Sequence, residues 1–156
     1  MDLILWRHAD AGEPIADAAA DLARPLSSKG RKQAKAMAAW LRKQMQDVDD
    51  YRLIASEAVR SRETAEFLGK YSVAASINPG GFNGAYLEVA HWPRDVGKTV
   101  VIVGHQPHIG QVASLLLTGK ELDWTTRKSG IWWIQRRIID DRIRYVLKAA
   151  IGPEML

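Results

Sequence analysis

The chain has no cysteine. That excludes a disulfide framework, a thiol nucleophile and a thiolate zinc site. No apolar stretch approaches the roughly 20 residues needed to cross a bilayer. The first apolar run, Leu3-Ile4-Leu5-Trp6, is too short for a signal peptide and follows no charged region. The expectation is a cytoplasmic protein with no membrane partner. No internal repeat, linker or low-complexity tract is visible, so residues 1–156 are expected to form one domain. Hydrophobic residues at 47% and charged residues at 26% are ordinary for a folded globular chain of this length.

The net charge is +4, which favours acidic partners through long-range steering. The cations are scattered along helix-like segments (Lys29, Arg31, Lys32, Lys35, Arg42, Lys43) and across a C-terminal hairpin (Arg136, Arg137, Arg142, Arg144). No nucleic-acid motif accompanies them. They read as a solvated basic face, and no nucleic-acid partner is expected.

Histidine is scarce, with 4 in the chain, and two of them end strand-like runs. Leu3-Ile4-Leu5-Trp6 leads into Arg7-His8 and then a small-residue loop, Ala9 to Gly12. Thr99-Val100-Val101-Ile102-Val103 opens into Gly104-His105-Gln106-Pro107. Both runs read as strands buried on both faces. In open α/β sheets, ligands bind beyond the carboxyl ends of the strands. Two such histidines face one crevice if their strands are neighbours. Gly104 permits close backbone approach or an unusual dihedral. Arg7 can clamp a phosphate with parallel hydrogen bonds, and a neighbouring imidazole can attack phosphorus or donate a proton. Taken alone, Arg7-His8 reads first as two ordinary charged loop residues.

A third run, Arg52-Leu53-Ile54-Ala55, leads into Ser56-Glu57-Ala58-Val59-Arg60-Ser61-Arg62-Glu63-Thr64, a loop entering a helix. Arg60 or Arg62 would then lie near a helix N-terminus, which already favours an anion. Residues 7–27, rich in Ala and Asp, read as a long loop folded over a phosphate site. Ser27 or Ser28 caps a helix with apolar residues at Ala34, Met37, Ala38, Leu41 and Met45. Residues 85–92 predict a short helix, and another begins after Pro107 and stops at Gly119. Gly130 to Ile134 and Ile143 to Leu147 predict two strands joined at Asp140-Asp141, with Trp132 and Trp133 on opposite faces. Strands alternate with helices until that hairpin. The expected fold is a three-layer α/β/α arrangement with a mostly parallel central sheet, helices on both faces and a C-terminal antiparallel hairpin.

Arg7-His8, Leu26-Ser27-x-x-Gly30-x-x-Gln33-Ala34, Ser56-Glu57-x-x-Arg60-Ser61-x-x-Thr64 and Val103-Gly104-His105 occur in the order found in the histidine phosphatase superfamily, the phosphoglycerate-mutase-like proteins. The resemblance spans residues 2–117. The short length and Arg24-Pro25-Leu26 look most like the small SixA-type phosphohistidine phosphatases. The resemblance implies a hydrolase without cofactor or metal. Neutral His8 would attack phosphorus, and Arg7 and Arg60 would hold the equatorial oxygens. Both cations should lower the His8 pKa, and a backbone carbonyl should fix its tautomer. His105 would donate a hydrogen bond to the phosphoryl group, in one version as the imidazolium. Arg24 could reach the site as a peripheral substrate-binding residue or pair at the surface with Asp21 or Asp17. The implied partner is a phosphohistidine-bearing protein such as a phosphotransfer domain.

The chain departs from the family pattern in three places. Ala9 replaces the usual Gly, a methyl small enough for the loop to survive. Glu57 replaces the usual Pro, which places a carboxylate near the phosphate entrance or in solvent. The stretch Ile77 to Tyr86 holds no acidic proton donor, leaving Asp10, Glu88 or no general acid. Expelling an alkoxide needs a proton, whereas imidazole departs easily, so a site without an acid suits phosphohistidine. The alternatives are a phosphomonoesterase or mutase acting on small metabolites, a phosphate-dependent binding module without turnover, and a metal site built from His8, His105 and His108.

Overall fold

The computed structural model describes residues 1–156. In chain order its elements are β1 (Asp2–Arg7), α1 (Ala18–Leu22), α2 (Ser28–Gln44), β2 (Tyr51–Ala55), α3 (Val59–Glu66), β3 (Ser72–Val73), α4 (Asn83–Val89), β4 (Thr99–Gly104), α5 (His108–Thr118), β5 (Ile131–Ile139) and β6 (Arg142–Ile151). Short 3-10 turns cover Ala75–Ile77 and Pro153–Met155. One sheet runs in the order β3-β2-β4-β1-β5-β6. β3, β2, β4 and β1 are mutually parallel, and β5 and β6 close the other edge as an antiparallel hairpin.

Side-chain alternation along β1 separates two cores. Leu3 and Leu5 pack with Tyr86 of α4 and with Ile109, Val112 and Ala113 of α5. Ile4 and Trp6 pack with Met37, Ala38 and Leu41 of α2 and with Ala65 of α3. Helices therefore cover both faces, and the strands between them carry continuous apolar sequence. Trp133 joins the second core and Trp132 packs on the first, as their adjacency requires. The hairpin turns at Asp140 and Asp141, whose φ values of 51° and 60° are left-handed. Two such residues suit a two-residue turn that matches the strand twist.

Buried Asp2 ties the hairpin to β1. Its carboxylate accepts from Trp133 Nε1 at 2.7 Å, Gln135 Nε2 at 2.8 Å and Lys148 Nζ at 3.0 Å. Burial alone would raise its pKa, but these donors together hold it below the usual carboxylate value.

Three features differ from the sequence reading. The loop after His8 contains α1, capped by Asp17, whose carboxylate accepts from Ala20 N at 2.8 Å. Five residues are too few to show a helical period. β3 has only two residues and leaves no pattern to read. β5 and β6 run longer than the segments that marked them, because Gln135, Arg136 and Arg137 interrupt the apolar run of β5 and Lys148 that of β6. No helix is long and apolar enough to cross a membrane.

The start of α2 locks against the loop after His8. Ser27 caps the helix, accepting from Gly30 N at 3.0 Å, and Ser27 N donates to Asp10 O at 2.9 Å. A Cβ at Gly30 would collide with the Asp10 carbonyl, so glycine is required there by close approach. Gly30→Ala is expected to lower stability by about 1–3 kcal/mol, as overpacking does elsewhere. Denaturant unfolding checks this; an unchanged midpoint would mean the loop is not seated on α2.

Candidate active site

β1 and β4 pair in parallel with Arg7 opposite Gly104. The next residue of each, His8 and His105, therefore leaves the same edge of the sheet. Their ring centroids lie 5.1 Å apart. β2 flanks β4 on the other side, so its carboxyl end delivers Ser56 and then α3 to the same crevice. Arg60, in the first turn of α3, is buried, whereas Arg62 is exposed. That settles which of the two arginines faces the histidines.

The His8 ring is oriented by its own loop. Nδ1 lies 2.8 Å from the Ala9 carbonyl, which can only accept, so Nδ1 carries the proton and Nε2 keeps its lone pair. Arg60 Nε points at that Nε2 from 3.4 Å. Burial, and then the charges of Arg60, Arg7 and Arg24, push the His8 pKa down to about 3. The imidazole is neutral at physiological pH. Ala9 causes no difficulty: its methyl is buried with Ala11, Leu26 and Ala34, and its N–H donates to Thr64 Oγ1 at 3.1 Å.

His105 is held from two sides. Its backbone N–H donates to the Tyr86 hydroxyl at 3.0 Å, and its Nε2 lies 2.7 Å from Ser56 Oγ and 3.3 Å from Ser61 Oγ. A Cβ at Gly104 would overlap the Tyr86 ring, so the freedom of this glycine serves close approach. Burial, then His8 and Arg60, push the His105 pKa down to about 2. Burial and these neighbours favour the neutral ring. In the tautomer whose Nε2 accepts from the serine hydroxyls, Nδ1 carries the proton.

A carboxylate from the overlying loop organises the arginines. Arg60 Nη1 donates to the Asp21 carbonyl at 2.8 Å, and Nη2 to its Oδ2 at 3.1 Å. Arg24 Nε donates to Asp21 Oδ1 at 3.2 Å, and its Nη1 to the carbonyls of Ala11 and Gly12 at 2.7 and 3.0 Å. A hydrogen bond from Ile15 N and the two guanidinium charges keep the Asp21 pKa below its ordinary value. Arg24 thus both pairs with Asp21 and lines the cavity; Asp17 is occupied at its helix cap. Arg7 Nη1 donates to the Thr126 carbonyl at 2.6 Å, and its Nε is enclosed without a partner.

Together these groups surround a cavity of about 370 Å³ with no hydrophobic residue in its wall. Arg7, Arg24, Arg60 and Lys128 supply positive charge against Glu13 and Asp21. The loop after His8 contributes Gly12, Glu13, Pro14, Asp21 and Arg24, so it does fold over the site as its length suggested.

Other sequence candidates lie elsewhere. Asp10 is outside the wall, bonded to Ser27 Oγ and Lys128 Nζ, both at 2.5 Å. Those two bonds, to Lys128 first, push its pKa down to about 2, the opposite of a proton donor. Glu88 is exposed on α4 and also outside the wall. Glu57 is exposed and exchanges two bonds with the Asn78 side chain at 2.7 and 2.9 Å, turned away from the cavity. His108 is buried, and its Nδ1 meets Asn83 Oδ1 at 2.7 Å. It does not join His8 and His105, and no group of three or more His, Cys, Asp or Glu residues is placed to hold a metal ion.

Glu13, Asp21, Gln106 and Lys128 escaped the sequence reading as wall residues. Only Asp21 left a signal, as a partner for Arg24. Ser56 and Ser61 were visible within their motif, but nothing in it pointed to the His105 ring.

Residues 3–80, half of the chain, match the sequence profile of the histidine phosphatase superfamily (branch 1). The chain is 32% identical over 127 residues to an uncharacterized protein of Picosynechococcus, covering 77% of this chain and 75% of that protein. It is 28% identical over 130 residues to phosphohistidine phosphatase SixA of Escherichia coli, covering 77% of this chain and 76% of that one. Among solved structures, protein histidine phosphatase SixA complexed with tungstate superposes with a TM-score of 0.76 at 24% identity, covering 99% of both chains. A mycobacterial glucosyl-3-phosphoglycerate phosphatase complexed with VO3 gives 0.68 at 18% identity, covering 95% of this chain and 97% of that one. These two superpositions establish the shared fold. The chain belongs to the histidine phosphatase superfamily, a placement that supports a phosphatase hydrolase.

Proposed function

We propose that the protein removes phosphate from a phosphorylated histidine of a partner protein, such as a phosphotransfer domain, through a phospho-His8 intermediate and without a metal. The observation that carries this reading is the pinned, neutral His8, with Nδ1 on the Ala9 carbonyl and Nε2 facing Arg60 Nε at 3.4 Å. His8 Nε2 attacks phosphorus in line, and the bond from phosphorus to the substrate imidazole breaks. Arg60, Arg7 and His105 Nδ1–H stabilise charge on the equatorial oxygens. Water then attacks phospho-His8, releasing inorganic phosphate and restoring the imidazole.

The leaving group favours phosphohistidine. Imidazole departs without the strong acid that an alkoxide requires. Asp10 and Asp21 are held ionised, and the similarity to a phosphohistidine phosphatase points the same way. One observation favours a second reading, a phosphomonoesterase acting on small metabolites. Glu13 lines the cavity, and no hydrogen bond or ion pair engages its carboxyl. In that reading Glu13 would be the donor to the departing alkoxide.

Equal amounts of enzyme should therefore hydrolyse a phosphohistidine protein at least tenfold faster, by kcat/KM, than phosphoserine or a sugar phosphate, with no loss in chelator. Glu13→Gln should leave the phosphohistidine rate intact. A preference for monoesters, abolished by Glu13→Gln, would establish the second reading. Arg60→Ala should lower kcat/KM by about 10²–10³, comparable to losing an oxyanion donor, while exposed Arg62→Ala should change it less than about threefold. The reverse order would place the wrong arginine at the phosphoryl group.

The neutral imidazoles also set a pH dependence. Both folded-state values, about 3 for His8 and about 2 for His105, lie below the unfolded value of 6.5. Between those limits the unfolded chain binds more protons, so stability rises with pH there and is lost as pH falls. Wild type should lose stability from pH 7 to pH 4 more steeply than the His8→Gln variant, measured by denaturant unfolding. Parallel curves would mean that His8 is not held neutral by the fold.

A further inference from the structure

A second open cavity, of about 600 Å³, adjoins the catalytic one and shares Arg7 and Lys128 with it. Lys29 and Arg127 extend its positive wall, and Glu154 is its one carboxylate. Lys128 is neutralised by Asp10. Arg127 meets Glu154 at 3.3 Å, but these side chains are 76% and 42% exposed, so the pair is weak and exchangeable. Lys29 forms no ion pair and lies in the first turn of α2, which holds no acidic residue. A helix start favours negative charge, so a bare lysine there leaves positive potential uncompensated. No hydrophobic residue lines the groove, so it offers nothing for a nucleobase to stack on. Two of its cations are already engaged by carboxylates, Arg127 by Glu154 and Lys128 by Asp10. The contact with Glu154 is an internal example of that chemistry.

We infer that this groove docks a carboxylate-rich segment of the phosphoprotein whose phosphoryl group enters the neighbouring cavity. This rests on the phosphatase reading above and deepens it by naming a feature of the substrate. Arg7 links the two events, because it borders both cavities. Glu or Asp side chains beside the phosphorylated residue would meet Lys29 and displace Glu154 from Arg127.

Two peptides phosphorylated on one histidine with phosphoramidate, identical except that three flanking Glu residues in one are Gln in the other, test the idea. At low salt the Glu peptide should show about a tenfold higher kcat/KM, carried by KM, as expected for a few exposed ion pairs acting together. The advantage should fall below about twofold in the Lys29→Ala/Arg127→Ala double variant and in high salt. Hydrolysis of p-nitrophenyl phosphate, too small to span both cavities, reports that the variant is folded and active. Equal kcat/KM for the two peptides, or a preference surviving the double variant, would overturn the inference. If neither phosphohistidine peptide is turned over but phosphoserine counterparts are, the phosphohistidine reading fails. The same Glu-to-Gln comparison on the phosphoserine pair then still decides the groove.

Discussion

The site depends on one strand pairing. β1 and β4 run side by side and in register, with Arg7 opposite Gly104. Because they are parallel, both release their next residue at the same edge. Two imidazoles nearly a hundred positions apart thus meet at a 5.1 Å centroid separation. A one-residue slip would turn every side chain on β1 to the opposite core. Leu3 and Leu5 on one face, and Ile4 and Trp6 on the other, make that slip costly. The hydrophobic cores therefore fix the geometry of the polar site.

Burial and charge then act in the same direction on the histidines. Removal from water disfavours the imidazolium, and the surrounding guanidinium groups disfavour it further. The arginines repel one another in a partly buried site. Asp21 relieves this by binding Arg60 and Arg24 at once. That carboxylate also seats the loop carrying α1 over the crevice. Arg7, outside its reach, is anchored by the Thr126 carbonyl instead.

Much of this was legible in the sequence. Continuous apolar runs marked β1 and β4, and a histidine stood at the end of each. Ser27 marked the start of α2, Gly119 the end of α5, and the Trp132-Trp133 pair a strand buried on both faces. Arg7, His8, Arg60 and His105 stand out in the sequence as candidates, and they converge. The sequence was weakest where contact is long-range and irregular. Nothing near Thr126 or Lys128 indicates that the segment before β5 returns to the site. Asp10, two residues from His8, was a candidate acid by proximity, yet the chain turns its carboxylate toward Ser27 and Lys128. Glu13, with no motif around it, reaches the cavity wall. His108 follows a proline, and α5 turns its ring inward against Asn83 and Tyr86.

The central claim is that His8 Nε2, Arg7, Arg60 and His105 act on a single tetrahedral anion. A crystal structure of the protein soaked with tungstate tests it most directly. The account predicts tungsten seated against His8 Nε2, with its oxygens contacted by the Arg7 and Arg60 guanidinium groups and by His105 Nδ1. Tungstate bound instead at Lys29 and Arg127, with the His8 pocket holding only water, would contradict it.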